Sequence, residues 1–205
     1  MMASKHDIVK DLLDIKAVQI KTEGYFTWTS GLKSPIYCDN RLTMSYPAVR
    51  RKIAKAFAEK IKELGVKPDV IAGCATAGIP HAAWLAEELD LPMVYVRSKP
   101  KAHGKGNQIE GAVSAGQKAI VIEDLISTGG SSIESAKALQ AEGVEVIQVM
   151  AIFTYGLDKA KNNFAEAGLD YSTISGFDQL IDLLVDEGEI TTADKEKLLD
   201  WRSQL

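Results

Sequence analysis

The chain has 205 residues, 46% of them hydrophobic and 25% charged, with a formal net charge of −4. That length predicts one domain (1–205) able to bury a sizeable core, and the mild acidity argues against broad binding to nucleic acid or to an anionic membrane. Cys38 and Cys74 form no C-x-x-C pair and predict reduced thiols rather than a disulfide scaffold. The start, MMASKHDIVKDLLDI, lacks the apolar core of a signal peptide, and no stretch approaches the roughly 18 apolar residues of a membrane helix, so a cytoplasmic protein is expected.

Residues 5–20 read as a helix, capped by Ser4-x-x-Asp7, with Ile8, Leu12, Ile15 and Gln19 at the helical period. KTEGYFTWTSGLKSPIYCDNRL then alternates aromatics with small polar residues. It predicts short strands and turns forming a flap over the main sheet, with Gly31 and Pro35 making turns and Tyr37 half-buried. Ser45 and Pro47 open a second helix that runs through Leu64 and stops at Gly65. VKPDVIAG is the next strand, GCATAGIP a glycine-bearing loop, HAAWLAEEL a helix and LPMVYV a strand. Residues 97–116 show no core pattern, and a structureless run of that length points to a lid or binding loop. A strand entering at residue 119 and the helix SIESAKALQAEG follow. Then come a strand from near Val144, a helix over 156–167, the strand YSTIS, a helix over 177–186 and a last helix from Thr192. The repeated βαβ order predicts a parallel sheet with right-handed crossovers.

The chemistry concentrates in AIVIEDLISTGGS, residues 119–131. Ala119 to Ile122 suit a strand buried on both faces, and Glu123 and Asp124 are expected at its C-terminal end, where open α/β folds bind ligands. Ser127 to Ser131 read as a turn entering a helix, whose hydroxyls and N–H groups can surround an anion. Ser131-x-x-Glu134 could alternatively be only a capping box. An acid pair beside a phosphate loop suits a phosphorylated sugar, since carboxylates accept from ribose hydroxyls. Upstream, Arg97, Lys99, Lys101 and Lys105 surround His103, with Gly104, Gly106 and Gly111 as hinges. This could be a solvated charge run, or a basic lid that neutralises phosphates and excludes water. His81 reads as structural, His6 as solvent-facing, and Trp28, Trp84 and Trp201 as packing residues, with Trp28 nearest the site.

The thirteen-residue pattern resembles the signature of the type I phosphoribosyltransferases, which bind 5-phosphoribosyl 1-diphosphate (PRPP). Arg97-x-x-x-Lys101-x-His103-Gly104 is similar to the lid of the orotate phosphoribosyltransferases. Phe26-Thr27-x-x-Ser30-Gly31-x-x-Ser34-Pro35-x-Tyr37 is similar to their pyrimidine flap. The resemblance implies an α/β fold with a parallel sheet flanked by helices, an N-terminal helix and substrate flap over about 1–44, and a mobile lid over about 97–116. It implies PRPP binding by Arg97, Lys101, His103, Glu123, Asp124, Leu125, Ile126, Ser127, Thr128, Gly129, Gly130 and Ser131. Lys99, Thr76 and Ala77 are further candidates, the last two in the diphosphate loop 73–80. Tyr37, Cys38 and Ser127 would bind orotate, and Lys101, His103 and Asp124 would be catalytic. Mg²⁺ would come with the PRPP oxygens rather than in a protein-built metal site. A homodimer whose lid acts on the partner's site is also implied, with no nucleic-acid or membrane partner. The chain departs from some members at Thr29, Ala77 and Ser98, and lacks an arginine after the fourth strand. A purine or other base phosphoribosyltransferase, and a PRPP-sensing nucleic-acid-binding regulator, are the rival readings.

Overall fold

A computed structural model of the chain describes residues 5–27, 31, 33–99 and 108–205, with side chains from Ile8 onward. Helix α1 (Lys5–Asp14) leads into the short strands β1 (Val18–Ile20), β2 (Phe26–Thr27), β3 (Lys33–Ser34) and β4 (Ile36–Cys38), then a 3-10 turn, Asn40–Ser45. Next come α2 (Pro47–Glu63), β5 (Val70–Cys74), α3 (Gly78–Leu89), β6 (Met93–Val96) and β7 (Ile109–Glu110). The chain continues with β8 (Lys118–Ile126), α4 (Gly130–Ala141), β9 (Glu145–Thr154) and α5 (Asp158–Glu166). It closes with β10 (Tyr171–Thr173), α6 (Phe177–Asp186) and α7 (Thr192–Ser203).

The main sheet has the order β10-β9-β8-β5-β6-β7, parallel except where β7 runs against β6. β8 lies inside it because its residues can be buried on either face: Ala119, Ile120, Val121 and Ile122 are all 0% exposed. Successive strand residues point to opposite faces. Ile71, Ile120, Ile122, Met150 and Ile152 therefore pack with α1, α2, α3 and α6, while Val70, Ala72, Val121, Val149 and Ala151 pack with α4 and α5. Beside this sheet, β1 pairs with β4 and β2 with β3, both antiparallel, forming the flap. Among the described residues, no helix is long and apolar enough to cross a membrane.

Several boundaries differ from the sequence expectation. The first helix ends at Asp14, not residue 20. Lys16 takes a left-handed φ of 59°, and Val18–Ile20 instead pair with Ile36–Cys38. Helix α3 begins three residues early, which Pro80 tolerates because first-turn N–H groups have no intrahelical partner. The 97–116 segment contains a strand: buried Ile109 pairs with Val96, and Glu110 with Tyr95. The signature strand runs on to Ile126, and Glu123 and Asp124 lie in its C-terminal part, as expected. Tyr37 is 39% exposed, more open than a half-buried strand aromatic. The Ser4 cap, Trp28, Thr29 and Ser30 lie outside the described residues.

Candidate active site

The acid pair is held by its own neighbours. Glu123 is only 6% exposed; its Oε1 accepts the Asp124 N–H at 3.0 Å and its Oε2 accepts the Ser131 hydroxyl at 3.0 Å. Burial, followed by the charge of Asp124, pushes Glu123 up to about 8. Burial also raises Asp124, opposed by hydrogen bonding from Glu123 and by the nearby Arg41 charge. Side-chain hydrogen bonding between the carboxyls raises Glu123 and lowers Asp124.

The loop that follows is propped from α5. Asn163 Nδ2 donates to the Thr128 carbonyl at 2.8 Å, and Gly129 takes a φ of 82° against the Phe164 ring, where a Cβ would collide. Helix α4 starts at Gly130 with Gly129 as its cap, and Ser131 spends its hydroxyl on Glu123, so the alternative capping box does not form. The first amides of α4 are left without intrahelical acceptors, as an anion site requires. Ser127 and Thr128 are half-buried beside them. Leu125 is half-buried and Ile126 is 1% exposed in the core, which leaves Ile126 only its main chain for a ligand.

The 73–80 loop meets the acid pair from β5. A Cβ on Gly78 would overlap the Ile122 carbonyl oxygen and stand 3.3 Å from the Glu123 Cα, and one on Gly73 would stand 2.9 Å from the Ile79 Cα. Glycine at both positions therefore lets the loop and α3 lie against β8. The loop carries exposed Thr76 and half-buried Ala77, with the Ala75–Thr76 peptide cis. Arg97 stands at the neighbouring strand end, where Ala75 N–H donates to the Val96 carbonyl at 2.9 Å. Residues 97 and 108–110 are joined by Arg97 N–H to the Gln108 carbonyl at 2.9 Å, Gln108 Nε2 to the Arg97 carbonyl at 2.8 Å, and Arg97 Nη1 to Glu110 Oε1 at 3.4 Å. Lys99 is exposed; Lys101, His103 and Lys105 lie outside the described residues.

The flap reaches the same point. Tyr37, 39% exposed, has the Phe26 ring 5.8 Å away. Burial, then the Asp124 charge, push the Cys38 thiol up, which sets Cys38 beside the acid pair. Three residues escaped the sequence reading. Asn40 donates from Nδ2 to the Asp124 carbonyl at 2.7 Å. Arg41 is clamped by Asp39 at 2.6 and 2.9 Å with its charge acting on Asp124. Tyr155, buried just beyond β9, has its hydroxyl raised by burial and then by the charges of Cys38, Asp124 and Tyr37. Asp39-x-Arg41 is the one signal in the sequence that could have drawn attention to that turn.

Among the described residues, no group of three or more His, Cys, Asp or Glu is arranged to hold a metal ion. Both Glu123 oxygens are engaged, so the donor set suits a divalent ion carried by a ligand's own oxygens.

Comparison with known proteins agrees with this geometry. Residues 44–177 match the phosphoribosyl transferase domain family. The orotate phosphoribosyltransferase of Oceanobacillus iheyensis is 64% identical over 198 residues, 97% of this chain and 98% of that one. That of Bacillus subtilis is 56% identical over 198 residues, 97% of this chain and 92% of that one. The crystal structure of orotate phosphoribosyltransferase from Aeropyrum pernix covers 90% of this chain and 99% of its own, with a TM-score of 0.75 at 28% identity.

Proposed function

The chain belongs to the orotate phosphoribosyltransferases, within the phosphoribosyl transferase domain family, and from that membership we propose how its residues carry out the reaction. The enzyme moves the 5-phosphoribosyl group of PRPP to N1 of orotate, giving orotidine 5′-monophosphate and diphosphate on the way to UMP. The C1′–O bond to diphosphate breaks as the C1′–N1 bond forms, so positive charge develops on the ribose ring and negative charge on the leaving group.

Asp124, half-buried, accepts from the ribose hydroxyls through its carboxylate and offsets the ring's developing charge. Glu123, pushed up to about 8 by burial and the Asp124 charge, repels Asp124 less than a second full charge would. Ser127 to Ser131 and the first amides of α4 take the 5′-phosphate, and residues 73–80 take the diphosphate through main-chain N–H groups. Arg97, Lys101 and His103 neutralise the leaving group, with Lys99, Thr76 and Ala77 at its margin. Mg²⁺, when bound with PRPP, supplies further positive charge to the diphosphate oxygens. Tyr37 covers the pyrimidine, with Cys38 and Ser127 at its edge. No covalent nucleophile is needed, because orientation and electrostatics suffice for this displacement.

The observation that carries the reading is the buried acid pair set between a phosphate loop and an aromatic flap. Its test is to mix the protein with PRPP, Mg²⁺ and a panel of bases. Orotate should be consumed, uracil and adenine scarcely, and EDTA should abolish turnover. Adenine turnover without orotate turnover would contradict it.

The working unit is a cytoplasmic homodimer whose lid serves the partner's site, as the family resemblance implies. Exchanging subunits between inactive Lys101→Ala and Asp124→Asn homodimers should restore at most about half of wild-type activity. Verified heterodimers no more active than their parents would exclude a trans lid.

A further inference from the structure

Asn40 is polar, sits in the turn after β4 and is 0% exposed. Its Nδ2 donates to the main-chain carbonyl of Asp124 at 2.7 Å, joining residues 84 apart in sequence. The Asn40 carbonyl in turn accepts the Thr43 hydroxyl at 2.6 Å, and Thr43 Oγ1 stands 3.3 Å from His81 Nε2. Thr43 and His81 are buried as well, at 0% and 1% exposed.

The directions of these bonds follow from the chemistry. The Thr43 proton is committed to the Asn40 carbonyl, so Oγ1 can only accept from His81, and the imidazole proton must lie on Nε2. Burial lowers His81 to about 4, keeping the ring neutral, and Nδ1 is left as a bare lone pair with no partner among the described residues. Neutral donors therefore link α3, behind the 73–80 loop, to the flap's exit turn and to β8. Asn40 Oδ1 also has no partner among the described residues, and a buried unsatisfied amide oxygen costs stability. Packing alone would favour an apolar side chain here; what Asn40 offers is its donor to Asp124.

We propose that Asn40 is a positioning residue for the transfer reaction, fixing the main chain from which the Asp124 carboxylate reaches the ribose, while Thr43 and His81 hold Asn40 in place. The inference rests on the assignment of Asp124 to the ribose. Because Tyr37 and Cys38 lie two or three residues before Asn40, the same bond sets the flap relative to the acid pair, and displacements of about 1 Å at such a site cost activity.

A double-mutant cycle tests this, with kcat, both KM values and Tm measured for Asn40→Ala, Asp124→Asn and the double variant. Asn40→Ala should lower kcat about 10-fold, while in the Asp124→Asn background the same change should cost less than about 2-fold, since the carboxylate it positions has lost its charge. Equal losses in both backgrounds, or a fall in Tm with kcat unchanged, would overturn the proposal. Should Asn40→Ala not fold, the near-isosteric Thr43→Val replaces it in the cycle, with an expected loss of about 3-fold and the same non-additivity. An Asp124→Asn enzyme with wild-type kinetics would instead remove the underlying ribose assignment, so the two failures are distinguishable.

Discussion

β8 and the flap serve one site under opposite structural conditions. β8 is nine residues long and hydrogen-bonded to β5 on one side and β9 on the other, with its apolar half fully buried. The flap strands are two or three residues each and pair with one another. The flap is tied to the body at particular points: Ile36 in the core, Asp39 N–H on the Ala17 carbonyl at 2.7 Å, Asn40 on Asp124, and Trp201 Nε1 on the Lys33 carbonyl at 3.3 Å. The difference teaches a division of labour. In the proposed mechanism, charge stabilisation at the ribose needs fixed geometry and sits on the most constrained strand, whereas the choice of base is left to a small attachment that can vary without disturbing the sheet.

Removing the charge on the rigid side should have the largest effect. Asp124→Asn is expected to lower kcat/KM by about 100-fold while leaving Tm within a few degrees, because the change is isosteric. A folded Asn variant with wild-type kcat/KM would take Asp124 out of the mechanism. On the flap, Tyr37→Ala should raise the KM for orotate about 10-fold and leave that for PRPP nearly unchanged. Equal increases in both would mean that the flap shapes the whole site.

The acid pair itself offers a smaller contrast. Because burial and the Asp124 charge push Glu123 up to about 8, Glu123→Gln should cost less activity than Asp124→Asn, within about 10-fold of wild type. Its effect on stability depends on pH. The folded value of about 8 lies above the ordinary 4.5, so the native state binds the proton more tightly than the unfolded chain. That contribution is fully present below about 4.5 and is lost as pH rises through about 8. Wild-type Tm should therefore fall more between pH 5 and pH 9 than that of Glu123→Gln, which cannot titrate there. Parallel curves for the two proteins would show that Glu123 does not hold the proton.

Much of this architecture is legible in the sequence, for identifiable reasons. Ala119 to Ile122 admit no polar face, so a strand buried on both sides is their natural reading, and the acid pair and Ser127–Ser131 follow in one uninterrupted run. Helix α2 repeats an apolar period over several turns, with Val49, Ile53, Phe57 and Ile61 buried, which local inspection can recover. β1 and β7 are not recoverable that way, since strands of three and two residues are defined by their partners, Ile36–Cys38 and Tyr95–Val96, rather than by periodicity. Asn40 looks like an ordinary turn residue until folding sets it against Asp124. Ser131 reads as a helix cap because its hydroxyl's true acceptor, Glu123, lies eight residues upstream on another element.

The division of labour is tested most directly by calorimetric titration of PRPP with Mg²⁺, without orotate, into the wild-type protein, Tyr37→Ala and Asp124→Asn. Tyr37→Ala should bind PRPP within about 2-fold of wild type, and Asp124→Asn at least about 10-fold more weakly, because only the second removes a group facing the ribose. Equal affinity for all three, or a greater loss in Tyr37→Ala than in Asp124→Asn, would contradict the assignment of ribose to β8 and base to the flap.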